Sequence, residues 1–490
     1  MVNRLLVTSP NEQTWGNGQS ILFVDEWCKP KSKEKLWRNY DFDVVPYHWN
    51  DRQRLYEDYI YLADLYEHIL EQIAQSLNDY HKKSYSRRYW RIVIGPWLYY
   101  SIQIIFDRWQ MMTRALEKAP TAETYALKLP FSEWIPHSFQ DFHRSYLTYN
   151  WNHWLCTEVL QFLDFQKIHY IDFDQTSIVA DHLKRKKLVD KLAARAKNVF
   201  VNIYPFKREK DYFFVASYLE KKQQTILEYE LGQKYRKVYS PSIDMSSIQT
   251  ARERFQFFHK ESSSETLFDK FLQTFLCHNI PICYLEGFKE MQRSVKKVRW
   301  PRNPRLIFTS NAVIPDDFFK IWAAEKVETG SKLVVSQHGG NYGSAKFMAN
   351  EDHELKIADN FFSWGWGDSN IRPNPSPILE QKVRKLSSNS EGYLYLVQTS
   401  NPEFSHWLFS APLGGQFEQY FRDQLQFAQN LDEKIRKQLI VRLYPFDHDW
   451  MQKQRWDEQF PDVNFDQMDR SIDEGIQGAR LYIGAHNTTT

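Results

Sequence analysis

Short apolar runs closed by polar turns alternate along this chain with longer stretches in which apolar residues recur every three or four positions. The first pattern is that of strands buried in a parallel sheet, the second that of amphipathic helices. RLLV (4–7) and ILFV (21–24) read as strands feeding loops, the opening of an α/β unit. Residues 50–78 contain neither Pro nor Gly and predict a long helix. In YWRIVIGPWLYYSIQIIFDRWQMM (89–112) the Gly95-Pro96 pair interrupts an apolar run, which predicts a strand, a turn, and a buried helix starting near Trp97. Its most apolar part, Ile92–Phe106, is shorter than the roughly 18 residues a membrane span needs.

Residues 120–260 read as mostly helical, with the basic run KRKK (184–187) on a solvated face and a polar stretch ESSSE at 261–265. From residue 300 strand and helix alternate. RLIFTSN (305–311), DDFFKIWAAEKVETG, KLVVSQHGGNYG (332–343) and ADNFFSWGWG (358–367) give strand, helix, strand and loop, strand. IRPNPSPI and the polar SSNSEG (387–392) mark a boundary between an N-terminal α/β domain over 1–375, with helical insertions, and a second over 390–490. The second shows strands at 393–400, 439–445, 463–465 and in RLYIGAHNTTT (480–490), with helices at about 416–437, 451–459 and from Arg470. The fold class is therefore α/β with two doubly wound, Rossmann-like sheets, whose ligands belong beyond the carboxyl ends of the strands.

Composition narrows the functional classes. The 490 residues carry 63 Lys and Arg against 61 Asp and Glu, a net charge of +2, so no global field marks a nucleic-acid binder. Aromatic residues make up 16 % of the chain, while 17 glycines are about half the usual share of roughly 7 %. The four cysteines form no CxxC pair and no leader is evident, so a reducing cytoplasm is expected.

Candidate chemistry sits at strand ends. Ser336-Gln337-His338-Gly339-Gly340-Asn341-Tyr342-Gly343 concentrates three glycines after KLVV, where backbone must turn sharply or approach a ligand closely. His338 is the candidate acid/base or phosphate contact, with Gln337, Gly339, Gly340 and Asn341 around the ligand. Asp352 and Glu354 follow as candidate catalytic carboxylates. Arg442 at the end of LIVR suits a bidentate grip on phosphate, with Tyr444 beside it; the plain alternative is a structural ion pair. Asn487, Thr488 and Thr489 offer hydroxyls and free N–H groups to an anion, or simply an N-cap. No Walker A, GxSxG, HExxH or zinc spacing is present, and no metal site is expected.

RYWRIVIGPWLYY (88–100), SQHGGNYG (336–343), DHELKIADNFFSWGWG (352–367), RLYPFDHDW (442–450) and HNTTT (486–490) resemble a family of bacterial surface-carbohydrate transferases similar in architecture to GT-B glycosyltransferases. The resemblance covers nearly the whole chain. It implies two Rossmann-like domains facing a cleft, the first on the acceptor side, the second binding a nucleotide-sugar donor, with no obligatory metal or other cofactor. It implies transfer of a sugar such as Kdo or a nonulosonic acid, from its CMP-linked form, to a glycan or lipid-linked acceptor, by a cytoplasmic protein that associates peripherally with the inner membrane. Tyr444-Pro445 and Asn487 to Thr489 look like counterparts of a His-Pro element and a Ser/Thr loop that hold CMP phosphate, although Tyr replaces His. Gln337-His338-Gly339 is similar to the WHG triplet of teichoic-acid polyol-phosphate transferases, which keeps a CDP-polyol donor open. A non-catalytic carbohydrate-binding scaffold is the third reading. Asp41-Phe42-Asp43 and Asp172-Phe173-Asp174 match the metal-nucleotide triplet of the other common glycosyltransferase fold, a pattern short enough to arise by chance. The sequence stops at Thr490 on the HNTTT loop, so the second domain is expected to be incomplete.

Overall fold

A computed structural model describes residues 4–18, 20–128, 134–172, 212–233, 238–250 in part, 254, 266–367, 389–405, 407–468 and 470–484. KRKK (184–187), ESSSE, IRPNPSPI and Asn487, Thr488 and Thr489 lie outside the described residues.

Among the described residues four parallel sheets form, three of three or four strands and one of two, where the strand pattern had suggested two. The first joins β1 (Arg4–Val7), β2 (Ser20–Phe23) and β3 (Phe42–Val44), with Leu5 opposite Ile21 and Ile21 opposite Phe42. A parallel pair, β4 (Thr124–Leu127) and β5 (Ile168–Ile171), extends it through a bridge between Leu5 and Glu123. The second sheet has the order β6 (Tyr212–Val215), β7 (Leu306–Thr309), β8 (Lys332–Ser336) and β9 (Asn360–Phe362). In the third, β10 (Tyr393–Val397) and β11 (Leu439–Arg442) are central, flanked by β13 (Ala479–Gly484) and β12 (Asn464–Phe465). Parallel strands need crossover connections and are covered on both faces, which is why RLLV, LVV and LIV read as continuous apolar runs. Strands β4, β5 and β6 fall in the stretch read as mostly helical. They are four residues each, and β5 keeps no buried position, so no apolar run announces it.

Helices fill the space between sheets. α1 (Arg52–His81) matches its prediction and starts on an Asp51 cap, whose carboxylate accepts from the N–H groups of Gln53 and Arg54. The region read as strand, turn and helix is one continuous helix, α2 (Arg87–Lys118), about 48 Å long at 1.5 Å per residue. Pro96 leaves the Ile92 carbonyl without its helical donor, and together Gly95 and Pro96 cost a helix roughly 4 kcal/mol. Burial offsets this: every residue from Tyr89 to Trp109 is buried, and each large apolar side chain contributes about 1.5–3 kcal/mol. Around α2 pack α1, α3 (Tyr149–Phe162), α4 (Leu267–Asn279), α5 (Asp317–Glu328) and α6 (Ala349–Ile357). Gly95 has a packing reason of its own, because a Cβ there would lie 2.7 Å from the His353 ring on α6. Among the described residues no helix is long and apolar enough to cross a membrane.

One apolar cluster runs through the first two sheets and α2. The third sheet has separate clusters on its two faces, one built on Leu396, Val441 and Trp456 with Phe417 and Phe421 of α7 (Phe417–Gln429), the other on Tyr395, Val397 and Ala479. The helix expected over 416–437 is interrupted, α7 ending at Gln429 before a short turn at Glu433–Arg436. Between β10 and α7 the chain leaves its own sheet: Phe404, Leu408, Phe409 and Leu413 pack into the first cluster. There Leu408 N–H donates to Gln103 of α2 (2.6 Å), Arg108 donates to the Ser405 carbonyl (3.1 Å), and Phe409 bridges Met348.

Candidate active site

At the carboxyl edge of the second sheet, β8 delivers the loop from Gln337 to Gly343. Gln337 is buried and locks it: its Oε1 accepts from Trp364 N–H (2.9 Å) and Trp366 Nε1 (2.8 Å), and its Nε2 donates to the Gly339 carbonyl (2.9 Å). The side chain expected to touch ligand is thus occupied in holding its own loop. A Cβ on Gly339 would meet nothing within 4 Å, so that glycine leaves open space. The position that demands glycine is Gly343, which has a φ of +67° and where a Cβ would lie 2.3 Å from Trp366. Asn341 also takes a left-handed conformation (φ +72°), and its carbonyl accepts from Ala345 N–H (2.8 Å).

His338 stands between the rings of Tyr218 (5.8 Å) and Tyr342 (5.7 Å), with a fifth of its side chain exposed. Its Nδ1 is buried without a hydrogen-bond partner and lies 3.9 Å from Glu354 Oε1. Burial pulls the imidazole down to about 4, against the nearby carbonyls of Ser310 and Ser336, so the ring is neutral near pH 7. Glu354 is fully buried on α6. Desolvation pushes its carboxyl well above the ordinary value, with the charge of Glu351 adding to it, while Tyr342 OH donates to Oε1 (3.1 Å) and works the other way. The result is a neutral imidazole facing, across a short gap, a buried acid whose environment favours its protonated form. Asp352 points elsewhere: Tyr59 of α1 donates to its carboxylate, and with His353 it lines a small cavity of about 30 Å³. The structure brings Glu354, and not Asp352, to His338.

The third sheet treats its candidates differently. Arg442 sits at the end of β11 as expected, but its guanidinium donates to Asp466 (3.0 Å), Tyr395 OH (3.2 Å) and the Arg470 carbonyl (3.2 Å). The structural ion pair describes it, with Asp466 as a partner the sequence did not single out. Tyr444 is exposed in the loop beyond β11, in the company of Phe446 and His448. That loop is held by the Asp447 carboxylate, which accepts from Met451 N–H (2.7 Å) and Gln452 N–H (2.8 Å).

Two carboxyls escaped the sequence reading. Asp25, immediately after β2, lines a groove of about 810 Å³ between the carboxyl edge of the first sheet and the start of α7. Burial, then the charge of Asp107, raises it to about 8. Glu403, beyond β10, is also raised to about 8, by burial and then by Asp449, Asp25 and Asp447, although Tyr149 OH donates to it. The available signal was position alone: an acid directly behind ILFV at a strand end. Among the described residues no group of three His, Cys, Asp or Glu side chains is placed to hold a metal ion.

A neutral imidazole paired with a buried acid at the carboxyl edge of a parallel sheet suits movement of a proton during group transfer, and the chain is indeed a member of a transferase family. It belongs to the LIC12162 family of transferases, whose family model matches residues 4–490. No curated protein and no solved structure matches the chain.

Proposed function

We propose that this transferase moves a sugar from a nucleotide-activated donor to a hydroxyl of a glycan or lipid-linked acceptor, with His338 as the acid that protonates the departing phosphate. One observation carries the reading: among the described residues Nδ1 of His338 has no hydrogen-bond partner and faces Glu354, whose burial favours its protonated form. A ring desolvated this far cannot hold a charge alone. An arriving phosphate supplies the counter-charge that raises its pKa. In the transfer step the bond from the anomeric carbon to the phosphate oxygen breaks and the acceptor oxygen bonds to that carbon. Nε2 of His338 gives its proton to the phosphate while Nδ1 takes the proton of Glu354. The acceptor's hydroxyl proton reaches Nε2 through water while Nδ1 returns its proton to Glu354, which restores both groups. Delivery of this kind contributes about 10²–10⁴-fold.

The groove between the first sheet and α7 supports a two-lobed arrangement of the GT-B kind, because Asp25 and Tyr47 lie on one wall and Gln416 and Tyr420 on the other. We assign 1–375 to the acceptor side and 390–490 to the nucleotide. A CMP-linked acidic sugar such as Kdo or a nonulosonate is the first donor to test. A transfer assay over CMP-, CDP- and UDP-linked donors decides it. We expect one donor class to turn over and His338→Ala to lose at least 10²-fold, whereas full transfer by His338→Ala overturns the assignment.

A further inference from the structure

Beyond the carboxyl end of β3 a second groove, of about 500 Å³, opens beside the first and shares Val45 and Pro46 with it. Ligands of open parallel sheets bind outside this edge. The walls of the groove come from two helices that cross there: Arg54 from the first turn of α1, and Gln110, Arg114 and Lys118 from the last turns of α2.

The cations are unequally matched. Lys118 lies 3.4 Å from Asp43, which also takes Arg4 at 2.8 Å. Arg54 is aimed and shared: its guanidinium donates to Gln110 Oε1 (2.9 Å) and makes an ion pair with Asp58 at 3.6 Å, an acid that also accepts from Trp49 Nε1 (2.8 Å). Among the described residues Arg114 has one hydrogen bond, a long 3.4 Å contact to the Pro46 carbonyl, and no ion pair. Burial and then the positive charge of Arg54 hold its pKa below the usual arginine value, with Glu117 and Asp58 opposing. Two guanidinium groups thus share one groove, whose wall also carries Glu117.

We propose that Arg54 and Arg114 form an anion subsite that holds a phosphate or diphosphate group of a substrate. The planar guanidinium presents two N–H donors in a fork that matches two phosphate oxygens, and two forks on rigid helices match a diphosphate better than a lone carboxylate. Gln110 and the Pro46 carbonyl each take one hydrogen bond from a guanidinium, which leaves other N–H donors of both groups for a ligand. The subsite deepens the transferase reading, because a nucleotide donor and a phosphate-bearing acceptor both supply this chemistry.

Inorganic pyrophosphate titrated into the full chain by calorimetry tests the site without requiring turnover, so it stands or falls apart from the catalytic role of His338. We expect saturable binding that weakens with salt, at least ten-fold loss in Arg114→Ala and in Arg54→Ala, partial recovery in Arg114→Lys, and no change in Arg293→Ala, an exposed cation paired with Glu290. Melting temperatures near that of the wild type show that the variants fold, as the partial exposure of Arg54 and Arg114 predicts. The same variants titrated with CDP and with a sugar 1-phosphate then identify the source. Loss of CDP binding assigns the subsite to the donor, and loss of sugar-phosphate binding alone assigns it to the acceptor. Absence of pyrophosphate binding by the folded wild type, or equal affinity in the Arg54→Ala/Arg114→Ala double variant, overturns the proposal.

Discussion

Replacing Glu354 by Gln removes an ionisable proton while keeping the shape of the neutral acid, and stability and activity should then move in opposite directions. The native carboxyl has a pKa raised well above the ordinary 4.5 by burial. The unfolded chain releases its proton near that ordinary value. A raised native pKa stabilises fully at low pH, and the advantage is lost as pH climbs above 4.5 toward the native value, at about 1.4 kcal/mol per pH unit. As pH rises from 5 to 7 the wild type therefore carries a growing burden that Glu354→Gln does not carry. The extra amide proton of Gln lacks a ready partner, because Oε2 of Glu354 has none. That subtracts about 1 kcal/mol at every pH. Urea unfolding of both proteins at pH 5, 6 and 7 isolates this one site, since other titrating groups cancel in the difference. Glu354→Gln should be no more stable than wild type at pH 5 and clearly more stable at pH 7, while transfer falls by about 10²–10⁴ because the amide cannot feed a proton to His338. A stability difference that stays flat or shrinks with rising pH would show that Glu354 is ionised in the native state, and the relay through it would fail.

Three further outcomes follow from packing and charge. Gly343→Ala forces a Cβ against Trp366 at a left-handed position and should cost on the order of 2–3 kcal/mol, read as a lowered melting temperature with the His338 loop disordered. Asp25 and Glu403 have pKa values raised to about 8, so their protonated forms stabilise the fold below about 4 and the gain is lost as pH rises toward 8. The wild-type melting temperature should accordingly drop between pH 5 and 8.5, and an Asp25→Asn/Glu403→Gln double variant should flatten that slope. Asp466→Ala strands Arg442, whose side chain is 17 % exposed, and should cost about 2–3 kcal/mol in urea unfolding.

What was legible in the sequence followed the reach of each physical signal. RLLV, ILFV, KLVV and LIVR were readable because a strand covered on both faces needs an unbroken apolar run. The Gly95-Pro96 pair misled because its local cost is real, while its compensation, burial against the surrounding helices, is spread over distant segments. Strand β5 was invisible because it keeps no buried position. At the site, glycine density located the His338 loop, and Glu354 was among the acids named from its position after that loop. Choosing Glu354 over Asp352 required the face of α6, since consecutive helical residues point about 100° apart. Arg442 could not be resolved at all, because Asp466 lies 24 residues away and reaches it only through the pairing of β11 with β12.

The detour between β10 and α7 bears on how this protein can be taken apart. A fragment made of residues 389–484 would keep all four strands of the third sheet, yet it would carry Phe404, Leu408, Phe409 and Leu413 as a greasy strap with nothing to cover it. Losing the burial of those four side chains forfeits on the order of 6–12 kcal/mol, as much as a whole domain's margin of stability. Such a fragment should be sticky and short-lived in the test tube. A two-plasmid reconstitution, with the third sheet supplied in trans to the rest, should then work only when both pieces are synthesised together, with the strap threading into its seat beside Gln103 and Arg108 as the two partners meet.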